Sequence, residues 1–590
     1  MGGEVAIGDY TKDGTVDLRG NPLLRRKTGR WRACSFIVVY EVFERMAYYG
    51  ISSNLVLYLT NKLHQGTVIA SNNVTNWAGT IWLTPLIGAY IADTYLGRYR
   101  TFIIGSIIYL SGMCLLISAV SIASLKPPPC DAGAVCISKA SNLQLGVFFA
   151  GLYIIAAGTG GTKPNISTMG ADQFDDFHPT EHALKLSFFN WWEFSIFFGT
   201  LLANTVVVYV QDNVGWTVGY ILPTIGLAIS VVIFLAGTKF YRHKKPIGSP
   251  LTRMAQVIFA AFRNRHVILP VNPKELHELG PEEYKKNGNF RIDHTPSLSI
   301  LSKAAVKEGH SRRSPWGLCP VTQVEETKQM LRMVPILIAT FIPSTTLAQV
   351  GTLFVKQGVT LDRHMGPNFS IPAASLSAFV TISMLVTIVV YDRFLVPFAR
   401  RFTGNPRGIS LLQRMGTGIV IHIGTMLVAS FTEAHRLAVA RAHGVAESGD
   451  TVPMTVFIIL PQFLLMGIAD AFLEVSKIEF FYDQAPQGMK SLGTSYSMAT
   501  LGVGCFISSF LLETADRLTR RDGGRRGWIL NNLNKSHLDY YYAVLAGLSV
   551  LNFLFFLVVC RFYVYRAEFV LEHEDEDAKN GSTAAINNGT

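Results

Sequence analysis

A chain of 590 residues that is 49% hydrophobic and only 16% charged is poor in charge beside soluble domains, which carry about 25%, and it reads as a membrane protein. Its formal charge of +11 sits in short basic clusters beside apolar runs, the positive-inside pattern, which argues against nucleic-acid binding. Residues 1–30 lack the apolar core of a secretory signal. No nucleophile–base pair, metal-spaced His/Asp set or phosphate loop stands out among the apolar runs, so an enzyme is the least supported class and no cofactor is expected.

Apolar runs read against breakers predict about twelve spans, over 33–59, 77–96, 101–123, 144–167, 187–209, 217–238, 330–353, 372–391, 410–431, 454–476, 493–513 and 539–563. The expected fold class is an all-α polytopic membrane protein with two six-helix halves. The boundaries follow: an N-terminal segment over 1–32, a bundle over 33–238, a linker over 239–329, a second bundle over 330–563 and a disordered tail over 564–590. Arg25, Arg26, Lys27, Arg30 and Arg32 precede the first span and predict a cytoplasmic N-terminus. The even loops then stay inside, in keeping with Arg98, Arg100, Lys244, Lys245, Arg400, Arg401 and Arg407. Residues 514–538 conflict, being predicted outside yet holding Arg517, Arg520, Arg521, Arg525 and Arg526. Sequons at Asn73, Asn368 and Asn534 fall in predicted outside loops.

In the first span Glu41, Glu44 and Arg45 share one turn. Each charge at membrane depth costs about 2.5–3.5 kcal/mol, so the three are expected to face an aqueous cavity. One carboxylate is left over, and in low dielectric such a group can take up a proton near neutrality. A proton carrier for coupled transport is the leading reading; a structural ion cluster is the other. Glu193, in the fifth span, is a further acid that can serve as a second proton site or a partner for Lys163. Lys163 in the fourth span and Asp470 in the tenth, with Glu474 one turn on, occupy equivalent helices of the two halves. Bases on one wall and an acid on the other suit a solute with both carboxylate and ammonium. Pro164 with the glycines before it predicts a bendable helix. Tyr48, Tyr49 and Tyr153 either line the cavity or pack the core.

Asp93 and Arg98 follow the second span, and Asp392 and Arg393 follow the eighth; such pairs either lock the cytoplasmic side or serve topology alone. In the linker, Ser249-Pro250 opens a helix through His266 with Met254, Val257, Ile258 and Phe262 opposite Arg253, Arg263 and Arg265. It reads as an interfacial helix on the membrane surface or an ordinary linker helix. Cys34, Cys114, Cys505 and Cys560 read as buried packing residues, while Cys130 and Cys136 share one polar loop and can pair if it faces an oxidising compartment.

Several stretches carry a resemblance. Gly88-x4-Asp93-x3-Gly97-Arg98 resembles the loop signature of the major facilitator superfamily, and Glu41-x-x-Glu44-Arg45 with Tyr48-Tyr49-Gly50 resembles the first helix of proton-dependent oligopeptide transporters. Gly158-Thr-Gly-Gly-Thr-Lys163-Pro164-Asn165, Asp172-Gln-Phe-Asp175, Phe188-Phe-Asn-Trp-Trp192, Leu412-Gln413-Arg414 and Glu479-Phe-Phe-Tyr-Asp-Gln-Ala-Pro486 extend the likeness to the plant nitrate/peptide transporter branch. The resemblance implies the major facilitator fold and inward symport of a small solute with protons by alternating access, with the lipid bilayer and no nucleic acid as partners and no particular oligomeric state. It assigns proton coupling to Glu41, Glu44 and Arg45 and substrate contact to Lys163 and the tenth-span acid Asp470, with Glu474 one turn on; Arg45, Tyr48 and Tyr49 are further candidate substrate contacts, and Asp93 and Arg98 are the candidate gating pair. The expected solutes are di- and tripeptides or similar zwitterions; nitrate, or a carboxylate hormone or metabolite, is the alternative, and a non-transporting sensor the least favoured. Two positions depart from the pattern: Phe197 follows Ile196 where the family has asparagine, and Leu347 stands where a nitrate-binding member has histidine. Thr101 aligns with a phosphorylation position in that member. The plasma membrane is the expected location, and Asp17-x5-Leu23-Leu24, which resembles a sorting signal, makes the vacuolar membrane the alternative.

Overall fold

The computed structural model describes residues 10–563 except 12, 129–139, 176–177, 245–247, 281–282, 284–290, 308–313, 405–407, 487–488 and 521–526. Cys130 and Cys136, Lys245, Arg407, Arg521, Arg525, Arg526 and the predicted tail from 564 lie outside the described residues. The first half comprises α1 (Arg30–Ser52), α2 (Leu55–Asn61), α3 (Thr67–Ile91), α4 (Arg98–Ser121), α5 (Asn142–Ala171), α6 (Pro179–Leu202), α7 (Val208–Asn213) and α8 (Trp216–Ala236). After the linker helix α9 (Pro250–Arg263) come α10 (Val321–Arg332), α11 (Val334–Ala339), α12 (Phe341–Leu347), α13 (Leu353–Val359), α14 (Ser377–Val390), α15 (Val396–Thr403), α16 (Leu411–Ala442), α17 (Leu460–Gln484), α18 (Lys490–Thr519) and α19 (Leu538–Phe562). A short parallel ladder pairs Leu361–Asp362 with Val452–Thr455, a departure from helix that the sequence reading did not foresee.

Among the described residues, nine helical stretches are long and apolar enough to cross a bilayer, or ten if α10–α11 and α12, bent by 43°, form one span. Composition therefore supports nine or ten spans where twelve were predicted. The first two predicted spans are helices that fall outside this set: α1 carries Glu41, Glu44 and Arg45, and α3 carries Asn72, Asn73 and Asn76. Serine caps start two of the longest helices. In α5 and α16 the Ser141 and Ser410 hydroxyls accept from Gln144 N and Gln413 N, and the glutamine side chains accept from the serine N–H in return, the reciprocal box that S-x-x-Q encodes. α16 runs past its predicted end because Glu433 and Arg436 neutralise each other in the buried extension, 2.7 Å apart.

In the first half α1 lies against α6 and α8, and α3 and α4 lie against α5; in the second, α16 lies against α17 and α19. The halves meet where α3 packs on α18 and α6 on α14. Close approach of α3, α4 and α5 depends on missing side chains. A Cβ on Gly88 would stand 1.7 Å from Gly160 O, and one on Gly158 2.4 Å from Tyr109 N. The glycines before Pro164 therefore serve packing, and α5 continues as one helix through the proline. Gly158→Val is expected to force α4 and α5 apart at an overpacking cost of about 1–3 kcal/mol or more, seen as a lower unfolding temperature in detergent; an unchanged temperature would contradict this packing.

Several surface expectations change. Asn73 lies within α3 and donates to Gln65 Oε1 at 2.9 Å. Asn534 is 2% exposed, donates to Val445 O and Asp450 O and accepts from Arg436, so of the three sequons only exposed Asn368 suits a glycan. Arg517 and Arg520 pair with Glu513 and Asp516 one turn back on their own helix, which blunts their conflict with the predicted topology. Cys34 and Cys505 are buried, but Cys114 is exposed. The predicted apolar face of α9 divides: Met254 and Val257 are buried, Val257 in a cluster with Ala304, Cys319 and Val324, whereas Ile258 and Phe262 are exposed.

The N-terminal segment folds back as a strap. Val16 and His243 exchange backbone hydrogen bonds at 2.8 and 2.9 Å, and the Asp17 carboxylate accepts from Arg19 N and Asn21 N at 2.8 Å. The acid of the sorting-type motif is thus a turn cap. Burial pushes the His243 imidazole down to about 4, against the pull of Asp17 and Asp172. The unfolded imidazole titrates near 6.5, so His243 freed from the strap binds the proton first and attachment weakens as pH falls from about 6.5 towards 4. Hydrogen exchange of residues 14–24 is expected to quicken over that window, and His243→Phe to flatten the change.

Candidate functional site

Helical spacing sets Glu41, Glu44 and Arg45 on one side of α1. Arg45 Nε lies 2.8 Å from Glu41 Oε1 and 2.7 Å from Glu44 Oε2. That nitrogen carries a single hydrogen, which cannot serve two carboxylates, and none of the four carboxylate oxygens has an aligned hydrogen bond. The cluster does not line an open passage: both glutamates are 1% exposed and Arg45 7%. This corrects the expected contact with water. The seal comes from α6, where a Cβ on Gly199 would stand 2.3 Å from Val42 O and 2.9 Å from Arg45 Cβ.

Lys163 enters from α5, 4% exposed. Its Nζ sits 4.2 Å from the Tyr48 ring centre and 4.0 Å from that of Trp82, a cation–π cage, and has no hydrogen-bond acceptor among the described residues. It feels the field of both glutamates. The charge count is therefore two acids to two bases, and the leftover carboxylate of the sequence reading vanishes while Lys163 is protonated. The ammonium thus has no hydrogen-bond acceptor and the carboxylates no aligned donor among the described residues. Tyr48 is buried and Tyr49 half-buried, with rings 4.8 Å apart; Tyr153 faces outward, 44% exposed. Glu193 is exposed on α6 without an ion pair among the described residues, so it does not meet Lys163.

In the second half Asp470 is 4% exposed, with Oδ1 3.4 Å from Nε2 of His422, a fully buried residue of α16. His422 Nδ1 lies 3.0 Å from Thr346 Oγ1. Glu474 does not extend an acidic wall: Lys477 Nζ donates to it at 2.6 Å and to Thr500 Oγ1 at 2.7 Å. Trp82, His422 and Lys477 were missed from the sequence. Lys477 was legible as an i, i+3 partner of Glu474, and His422 as an ionisable residue inside an apolar run.

At the gating end Arg98 pairs with Asp172, and Asp93 stands further off at 3.8 Å; Lys244 joins Asp172 at 3.2 Å. Arg98, Asp93 and Asp172 belong to the first half and Lys244 to the linker, so the pair is not a bridge between halves, and Asp392–Arg393, 4.0 Å apart and mostly exposed, is no equivalent lock. Thr101 is buried and donates its hydroxyl to Gly97 O at 3.0 Å, so a kinase reaches it only if this end of α4 opens. A narrow cavity of about 40 Å³ separates Asp93, Arg98 and Asn165 from Thr494 and Ser495 of the other half. At the opposite end the halves bond directly: Thr75 Oγ1 to Ser509 Oγ at 2.7 Å, Thr67 N to Asn531 Oδ1 at 3.0 Å and Lys356 Nζ to Thr60 Oγ1 at 3.4 Å.

Known proteins give the same outline. The PTR2 profile, which describes the POT family, matches residues 99–529. Protein NRT1/PTR FAMILY 5.2 of Arabidopsis thaliana is 63% identical over 563 residues, covering 95% of this chain and 96% of the relative. Protein NRT1/PTR FAMILY 8.1 of the same plant is 46% identical over 564 residues, covering 94% and 98%. Among solved structures, that of an auto-inhibited POT family peptide transporter superposes with a TM-score of 0.65 at 21% identity, covering 91% of this chain and 98% of that one.

Proposed function

This chain belongs to the POT family of membrane transporters, and from that premise we propose that it is a proton-coupled symporter importing di- and tripeptides or similar zwitterions by alternating access. The observation that carries the reading is the buried α1 cluster, in which one guanidinium N–H faces two carboxylates beside a caged ammonium. Glu41, Glu44 and Arg45 exchange the coupled proton. Arg45 and Lys163, with Tyr48 and Tyr49, receive the solute's carboxylate, and Asp470 receives its ammonium, while Glu474 is held back by Lys477. Asp93 and Arg98 fix the cytoplasmic end of α4 through Asp172. The two bundles over 33–238 and 330–563 rock about the site, with the linker over 239–329 between them, and the plasma membrane is the proposed location. The hydrogen bonds across the end remote from Arg98 fit a state closed towards the outside, in which protons reach α1 only once the halves part there.

Uptake into intact cells at acidic external pH, with a dipeptide, nitrate and a carboxylate hormone in competition, tests this reading. It predicts acid-stimulated dipeptide entry, and it fails if no solute enters faster in acid. A second reading, transport of nitrate or a carboxylate metabolite, is favoured by the histidine that already faces Asp470. Asp470→Asn separates the two: dipeptide uptake is expected to fall at least about tenfold, the loss of one ion pair worth more than 1.4 kcal/mol, while anion uptake persists. Equal loss for every solute would assign Asp470 to folding or coupling.

A further inference from the structure

Hydrogen bonding around His422 bears on where its protons lie. The Thr346 hydroxyl has Pro343 O at 2.7 Å and His422 Nδ1 at 3.0 Å; when it gives its one hydrogen to the nearer carbonyl, its oxygen can only accept from Nδ1. In that arrangement Nδ1 carries the hydrogen of the neutral imidazole. A neutral imidazole would then turn a bare lone pair on Nε2 towards the Asp470 carboxylate, 3.4 Å away, and neither atom has another hydrogen-bond partner among the described residues. Two acceptors face each other in a buried site, and a proton between them relieves the conflict.

The surroundings offer little to replace it. On its own helix Asp470 has Glu474, already taken by Lys477. From α1 the Tyr49 phenol reaches its field. On α16, Arg414 donates to Ala471 O and stacks on Tyr391. Helices α12 and α14 contain no charged residue, and α18 contains none between Lys490 and Glu513, offering only Tyr496 and Cys505 as titratable groups.

We propose that His422 and Asp470 share one proton and that this proton sets the charge of solute that the second half accepts. The proposal rests on the transport reading above. With the proton bound, the pair is net neutral and tolerates an anionic solute. Without it, Asp470 is a bare carboxylate beside a neutral imidazole and pairs with an ammonium. An ammonium-bearing solute therefore displaces one proton to water as it binds, while an anion binds with the proton retained; no covalent bond changes apart from that transfer. The site's preference swings towards anions when the proton is bound and towards zwitterions when it is lost.

Solute exchange by the full-length protein in liposomes, without a proton gradient and with a dipeptide and nitrate in competition over a range of pH, tests this. In the natural protein the nitrate-to-dipeptide ratio is expected to rise by up to about tenfold for each pH unit of acidification, the slope of one linked proton. His422→Gln and Asp470→Asn should each lower that slope by about one proton. The natural slope retained in His422→Gln would overturn the proposal. If the natural protein exchanges neither solute, the transport reading fails, and the pair is judged alone by pH-difference infrared spectra. A titrating band removed by both single substitutions supports the shared proton; one that survives His422→Gln unchanged refutes it.

Discussion

Glu44→Gln is expected to abolish uphill accumulation of solute while leaving downhill exchange in place. In the natural protein each coupled proton lets a unit pH gradient sustain about a tenfold solute gradient; in the variant the ratio should fall to one. The reason lies in the hydrogen count. Arg45 Nε, with its one hydrogen, lies within 2.8 Å of both carboxylates, and neither acid has an aligned hydrogen bond among the described residues, which leaves one of them free to exchange a proton with a neighbour. Glutamine removes that second acid and leaves Glu41 with Arg45 to itself. Glu41→Gln should act alike. Accumulation that survives both substitutions would place the coupled proton elsewhere, and counterflow of labelled solute against a pH-driven uptake assay separates the two activities.

Replacing Lys163 is expected to have the second largest effect. Its ammonium sits over the Tyr48 and Trp82 rings, a cage worth about 2 kcal/mol when desolvated, and has no hydrogen-bond acceptor among the described residues. Lys163→Gln leaves two buried carboxylates to one guanidinium. Breaking a buried charge set costs about 3–5 kcal/mol, so a lower unfolding temperature should accompany the loss of uptake. Lys163→Arg makes the sharper test, because a guanidinium keeps the charge but does not deprotonate in proteins. Stable protein without proton-driven uptake is expected from it; normal uptake would remove Lys163 from the proton route.

The parts of this site that lie on one helix were legible in the sequence. Glu41, Glu44 and Arg45 are neighbours by helical spacing alone, and their cost in lipid marks them. What the pattern did not reveal was whether water reaches them: that depends on how closely α6 approaches at Gly199, and the glutamates prove to be sealed. The Trp82 cage depends on the rotation of α3 against α5, and the pairing of Arg98 with Asp172 rather than Asp93 depends on where two helix ends meet. Neither is written in local spacing. His422 is different, since a lone ionisable group in an apolar run is a signal in itself. The span count also misled in one direction: α1 and α3 are too polar to be recognised as spans by composition, and α1 is polar because of the very residues to which proton coupling is assigned.

The central claim is that the α1 cluster carries a proton across with each turn of the transporter. Its most direct test is lumenal pH recorded in liposomes holding the natural protein, with a dipeptide added outside and no pH gradient at the start. Acidification of the lumen in step with dipeptide entry, absent from Glu44→Gln liposomes that still exchange the peptide, is the predicted result. Dipeptide entry at an unchanged lumenal pH would contradict the account.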